Sequence, residues 1–168
     1  MRTFTGHIAE EKGKEFEQKV CIQFKSLKWE AKTNVPMKQL GAGKEYGDID
    51  VLAWSPGSDD VLAIECKRLK PAKTIGEIGE QLREFRGINR DKLDKHLERV
   101  KWLRDNNNML RKFVCKARNE IKIHPLLITN YPVPIKFRDN LPMKKELIMQ
   151  LDDISYFLDS KINKLTAD

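Results

Sequence analysis

The chain breaks into stretches with different hydrophobic periods. Between residues 9 and 28, Phe16, Val20, Phe24 and Leu27 recur three or four positions apart in otherwise polar sequence, which predicts an amphipathic helix. Residues 30–37 predict a short strand with Pro36 at its edge or end, and Gly41 and Gly43 mark a loop. Residues 48–54 begin by alternating polar with apolar, and residues 61–67 stay apolar until their end. Ser-Pro-Gly-Ser-Asp-Asp lies between them, so the pair reads as an antiparallel hairpin. A helical period returns over 75–85 (Ile75, Ile78, Leu82, Phe85), closed by Gly87. Another covers 90–104 through Leu93, Leu97, Val100 and Leu103 and is broken by Asn106, Asn107 and Asn108; a further helix runs over 109–118. Residues 121–129 read as a buried strand and 131–142, with three prolines, as irregular. Residues 146–150 form a last short strand, and Asp152 or Asp153 caps a final helix through Ile162. This order predicts an α/β fold with one small mixed sheet flanked by helices.

The hairpin concentrates the chemistry. A turn centred between Gly57 and Ser58 sets Asp50 opposite Glu65, Asp48 opposite Lys67 and Leu52 opposite Ala63. Side chains alternate with period two, so these six share one face, while Ile49, Val51, Leu62, Ile64 and Cys66 make the other face apolar. A slip of one residue would bury Asp50 or part it from Glu65. Two facing carboxylates offer the hard oxygens that Mg²⁺ prefers. An ion held there activates water and stabilises charge on a phosphoryl oxygen, and a neighbouring Lys positions the water or neutralises the developing charge.

Composition narrows the alternatives. The 168 residues suit one compact domain, and 40% hydrophobic content supports a core. No apolar run approaches the ~20 residues that span a bilayer, and the first residues lack the apolar stretch of a signal peptide, so a cytoplasmic protein without membrane contact is expected. Cys21, Cys66 and Cys115 are scattered, as are His7, His96 and His124, which leaves carboxylates as the metal donors. The net charge of +7 points to a polyanion, nucleic acid first.

Asp50, then Glu65-Cys66-Lys67 after fourteen intervening residues, resembles the core motif of PD-(D/E)XK nucleases. The helical segment from Gly13 to Val20 is similar to the G-x-x-F-E-x-x-V helix of Mrr-like restriction endonucleases and archaeal Holliday-junction resolvases, with Glu17 at the family's glutamate. Gly47-Asp48-Ile49-Asp50-Val51 matches their G-x-D segment, with Ile49 where the family name has proline, and Gln81 stands where a site Gln often occurs. The resemblance covers about residues 10–85 well and 120–160 by pattern alone. It implies a restriction-endonuclease-like αβββαβ core, with residues 87–119 as an added helical element on a single domain spanning 1–168. That domain is either the whole protein or the nuclease part of a longer one.

The resemblance implies a Mg²⁺-dependent endodeoxyribonuclease, with Mn²⁺ as a substitute, leaving 5′-phosphate and 3′-hydroxyl ends. Its catalytic set is Glu17, Asp50, Glu65, Lys67 and Gln81, with Asp50, Glu65 and Glu17 on the metal. The implied setting is restriction or anti-phage defence, with junction resolution or repair as the alternative, and pairing into a homodimer or a larger complex is expected. A non-cleaving nucleic-acid-binding module on the same fold stands as the rival. Charge placement supports a DNA partner: residues 67–122 carry 17 Lys+Arg against 8 Asp+Glu, a net of +9, and the remainder is −2. Arg68, Lys70 and Lys73 follow the Glu-x-Lys motif, and Arg83, Arg86 and Arg90 lie on or after the next helix, as phosphate contacts would. Lys95, Arg99 and Arg104 read as a solvated helix face, and no groove-reading motif is present.

Overall fold

The computed structural model describes residues 4–116, 120–132 and 134–160. Helix α1 (Phe4–Ser26) begins five residues earlier than its apolar period implied. Phe16, Val20 and Phe24 are buried as expected, while Leu27 lies just past the helix and is only partly covered. Lys28 takes φ +64° and the Trp29 N–H returns to the Phe24 carbonyl at 3.1 Å, which ends the helix on a left-handed residue.

The chain then builds β1 (Glu30–Pro36), β2 (Asp48–Trp54) and β3 (Asp60–Lys67) as an antiparallel meander. Three helices follow, α2 (Ile75–Arg83), α3 (Lys92–Asp105) and α4 (Asn108–Phe113). They carry the chain across to β4 (Lys122–Thr129), which runs parallel to β3. Strand β5 (Ile148–Gln150) extends the parallel half, and α5 (Ile154–Ser160) ends the described chain; the remaining residues expected in that helix lie outside the described residues. The sheet order is β1-β2-β3-β4-β5. This is the expected α/β fold with a mixed central sheet, and β3 is the strand where antiparallel pairing gives way to parallel. Among the described residues, no helix is long and apolar enough to cross a membrane.

The hairpin has the expected register: Val51 faces Ile64, Leu52 faces Ala63, Ala53 faces Leu62 and Trp54 faces Val61. Its turn is tied down at the far end of β3. Lys116 Nζ donates to the Ser55 and Ser58 carbonyls. The buried Asp60 accepts from Ser58 Oγ at 2.6 Å and lies 3.0 Å from His124 Nε2.

The expectation of one charged and one apolar face needs correction. Both faces are covered. Val51, Ala53, Leu62 and Ile64 pack with Phe16, Val20 and Phe24 of α1. Leu52, Val61 and Ala63 pack with Val100 and Leu103 of α3 and Leu110 of α4. Ile49 joins this second group rather than Val51's. Regular alternation therefore fails between them, at Asp50. Opposite it on β1 stands Asn34 with φ +50°, at the one position missing from the β1–β2 register between Glu30 and Pro36. Asparagine tolerates this left-handed conformation better than other side chains.

The helices also deviate from the sequence pattern. Helix α2 buries none of its side chains and Ile75 is 88% exposed, because a Thr74–Glu77 capping box starts the helix there whatever the apolar spacing. Phe85 is fully buried but follows the helix. Gly87 does not close α2; at φ +71° it turns the chain towards α3, and a Cβ there would collide with the Pro142 ring. Asp91 caps α3, accepting from the Asp94 N–H at 2.9 Å while its other oxygen takes the Arg86 and Gly87 N–H groups. Leu93, Val100 and Leu103 are core, joined by His96 at 1% exposure, and Leu97 is partly covered. Helix α4 stops at Phe113, short of the 118 expected.

Candidate active site

The β2–β3 ladder ends at Val51 and Ile64. Beyond that point β2 continues against β1 as far as Asp48, and β3 continues against β4 as far as Lys67. The two strands part, and Asp50, Glu65 and Lys67 sit around the fork. Asp50 and Glu65 are thus not a ladder pair as expected. Asp50 Oδ2 instead accepts the Cys66 N–H at 2.8 Å, which holds the carboxylate across the opening.

Burial and crowding dominate the electrostatics here. Burial, with Asp50's charge added, pushes Glu65 up to about 7. Asp50 is also raised, by burial, against the pull of the Cys66 N–H, Arg99 and Lys67. Glu17 reaches the site from α1; burial and then Asp50 raise it, and Asn34 Nδ2 donates to its Oε2 at 3.0 Å. The three carboxyls stand near one another, but among the described residues no three His, Cys, Asp or Glu side chains converge as a metal-holding group. Cys66 packs against the α1 side of the core, and burial, followed by the nearby carboxylates, raises its thiol well above the ordinary range.

Lys67 does not meet Asp48, which is exposed and opposite Pro36. Its ammonium lies 3.2 Å from Glu84 Oε2, and Lys92 reaches the same oxygen at 3.0 Å. Burial and then the adjacent Lys92 lower the Lys67 pKa, while the two lysines together hold Glu84 below its usual range despite its own burial. Gln81 is engaged elsewhere, its Nε2 donating to the Lys70 carbonyl at 2.7 Å. Arg68, Lys70, Lys73, Arg83, Arg86 and Arg90 are all exposed.

Helix α3 brings residues that the sequence reading left out. Arg99 is not on a solvated face: Nη1 lies 3.2 Å from Glu65 Oε2 and Nε donates to the Tyr46 carbonyl at 2.7 Å. His96 Nδ1 is 4.0 Å from the same Glu65 oxygen, and burial, then Arg99, pushes the imidazole down to about 3, so it is neutral. Arg104 is tied to the Ile123 carbonyl through Nε and Nη2 at 3.0 and 2.7 Å. Lys92, His96 and Arg99 follow i, i+4, i+7 spacing, one helix face aimed at the fork. A His within the Leu93, Val100 and Leu103 stripe was the available signal.

The model of the Upx-like anti-phage protein family matches residues 2–154. The chain belongs to that family. The match spans α1, all five strands and the helices between them, so the fork and every residue described around it lie within the shared region. Defence against phage is therefore its setting, in line with the first of the biological settings anticipated from the sequence. Comparison with curated proteins and with solved structures finds no match.

Proposed function

We propose that this anti-phage protein is a metal-dependent endonuclease of the PD-(D/E)XK type that cuts the phosphodiester backbone of DNA. The observation that carries the reading is the fork, where Asp50 and Glu65 crowd one another with Lys67 beside them. Burial raises both carboxyls and the charge of Asp50 adds to the rise of Glu65, so a further cation between them would be favourable. Their oxygens suit Mg²⁺, which is commonly held by one or two carboxylates and completes its shell with water and substrate phosphate. Such an ion, when bound, supplies a water of lowered pKa and a positive charge for the phosphoryl oxygens.

The chain's own groups do the rest. The Cys66 N–H fixes Asp50, and Arg99 fixes Glu65. Lys67, its pKa lowered by burial and then by Lys92, is poised to hold a water or a phosphate oxygen once Glu84 releases it. Glu17, held by Asn34, borders Asp50 and accepts a proton or a bridging water. The six exposed cations after the motif supply the DNA contact.

One observation favours a second reading, in which the fold binds nucleic acid without cutting. Arg99 already neutralises Glu65, and Lys67 is already paired with Glu84, so the site is internally balanced. Incubation with supercoiled plasmid and Mg²⁺ or Mn²⁺ separates the two. Nicking by the wild type, absent in Lys67→Ala and Asp50→Ala, supports the enzyme; binding equal in all three with no metal-dependent nicking supports the binder.

A further inference from the structure

A cleft of about 400 Å³ opens between the N-terminal half of α1 and the chain leaving β3. Lys12, Lys67, Arg68 and Lys70 line it together with apolar or small residues such as Ile8, Ala9 and Gly13, and among the described residues no carboxylate does. Arg68 and Lys70 are set on a strap that is held from inside. Leu69 is buried, and Asn130 clamps its backbone from both sides, accepting the Leu69 N–H at 2.6 Å and donating to its carbonyl at 3.0 Å. Gln81 holds the next carbonyl, that of Lys70. With Leu69 anchored inward, Arg68 and Lys70 stand exposed on either side of it.

Gly13 is the unexplained member. It lies well inside α1, where glycine disfavours the helix relative to alanine. Packing does not require it, because a Cβ there would meet nothing within 4 Å. Gly79 of α2 is equally open, but it is not among the residues lining this cleft. A glycine with no internal need, in the wall of a cleft that carries four cationic side chains and includes Lys67, leaves room for something outside the chain.

We infer that this cleft is the track of one nucleic-acid strand, with Lys12, Arg68 and Lys70 gripping its phosphates and Gly13 letting the sugar-phosphate backbone lie against α1. The choice of ligand rests on the nuclease reading.

The test is fluorescence anisotropy with labelled single- and double-stranded oligonucleotides in EDTA, beside plasmid nicking in Mg²⁺ and melting by circular dichroism. Gly13→Ala is expected to raise the melting temperature, since alanine favours the helix, while weakening binding; Gly13→Gln weakens it about tenfold or more by filling the track. Lys12→Ala lowers affinity and reduces the slope of log affinity against log salt by about one, and Lys19→Ala, exposed on α1 outside the cleft, changes it less. If Gly13→Gln binds and cuts as the wild type does, the cleft is not the track, although the nuclease reading survives. If the wild type binds with the expected pattern of variants but never cuts, the track stands and the cleavage reading falls. Absence of any wild-type binding overturns both.

Discussion

Arg99 donates to Glu65 across 3.2 Å from a helix thirty-four residues further along the chain. The pair is largely buried, with side-chain exposures of 16% and 13%. Removing the guanidinium leaves a carboxyl that burial and Asp50 already disfavour. Breaking such a pair from one side costs about 3 kcal/mol, whereas replacing both partners together costs much less. Arg99→Ala is therefore expected to lower the urea midpoint sharply, and Arg99→Ala in the Glu65→Gln background to recover much of the loss. A purely additive double mutant in denaturant titrations would show that the two residues do not interact.

Glu65 sets a pH dependence whose sign is unusual for a carboxylate. Its folded pKa is raised from 4.5 to about 7, so between those values the folded chain holds a proton that the unfolded chain releases. Stability from this group is full below 4.5 and is lost as pH rises through 7, by about 3 kcal/mol at most. His96 works in the opposite sense. Lowered from 6.5 to about 3, it contributes stability that is present above 6.5 and falls away in acid. The two slopes oppose one another over much of the acid range. The clean readout is the difference in melting temperature between wild type and Glu65→Gln, expected to move in the variant's favour from pH 4.5 to pH 7.5. A flat difference across that range would contradict the raised pKa.

Divalent cations should reverse that loss. Mg²⁺ or Mn²⁺ at a hundred times its dissociation constant stabilises a folded chain by about 2.7 kcal/mol. The melting temperature is expected to rise on adding either ion at pH 7.5, to rise less at pH 5.5 where protons compete for Glu65, and not to move in Asp50→Asn. Thermal shift with EDTA as the reference measures this directly.

Lys67 and Glu84 divide structure from chemistry. Lys67→Ala is expected to cut plasmid nicking by at least about 100-fold, the usual scale for a proton-transfer or charge-stabilising group, with a modest change in melting temperature. Glu84→Gln, which frees the Lys67 ammonium from its 3.2 Å ion pair, is expected to keep nicking and shift its pH optimum. Equal loss in both variants would make the pair a structural unit rather than a catalytic lysine and its holder.

Asn34 couples backbone to side chain. It holds φ +50° and donates to Glu17. Asn34→Gly loses only the hydrogen bond, whereas Asn34→Ala also strains the backbone. The alanine variant should be less stable than the glycine variant by about 1 kcal/mol, the opposite of the order in a regular strand. Chemical denaturation of the two proteins side by side decides it.

Much of this architecture was legible because period-two patterns leave little freedom. Only one hairpin register brings Asp50, Glu65 and Lys67 together, and Val51–Ile64 and Leu52–Ala63 follow it. The switch of faces between Ile49 and Val51 was not legible, because it depends on the left-handed turn of Asn34 on the neighbouring strand. Arg99 was missed for a different reason. A charge surrounded by charges on an amphipathic helix looks solvated until the sheet it packs on is known. The same holds for Glu84 and Lys92, which join Lys67 only after the chain has crossed over α2 and returned on α3.

The division of the sheet at β3 also orders events in time. The β1–β3 meander pairs neighbours in sequence, while the β3–β4 pairing closes a loop of more than fifty residues. Local pairings form ahead of distant ones during folding. Asp50 and Glu65 flank the end of a hairpin that is expected to form early, and their partner Arg99 is expected to arrive with the later half. In that interval the notch between the two acids is expected to lack its Arg99 partner. Full docking of α3 becomes the step that quiets the notch, so maturation and electrostatic balance are reached together.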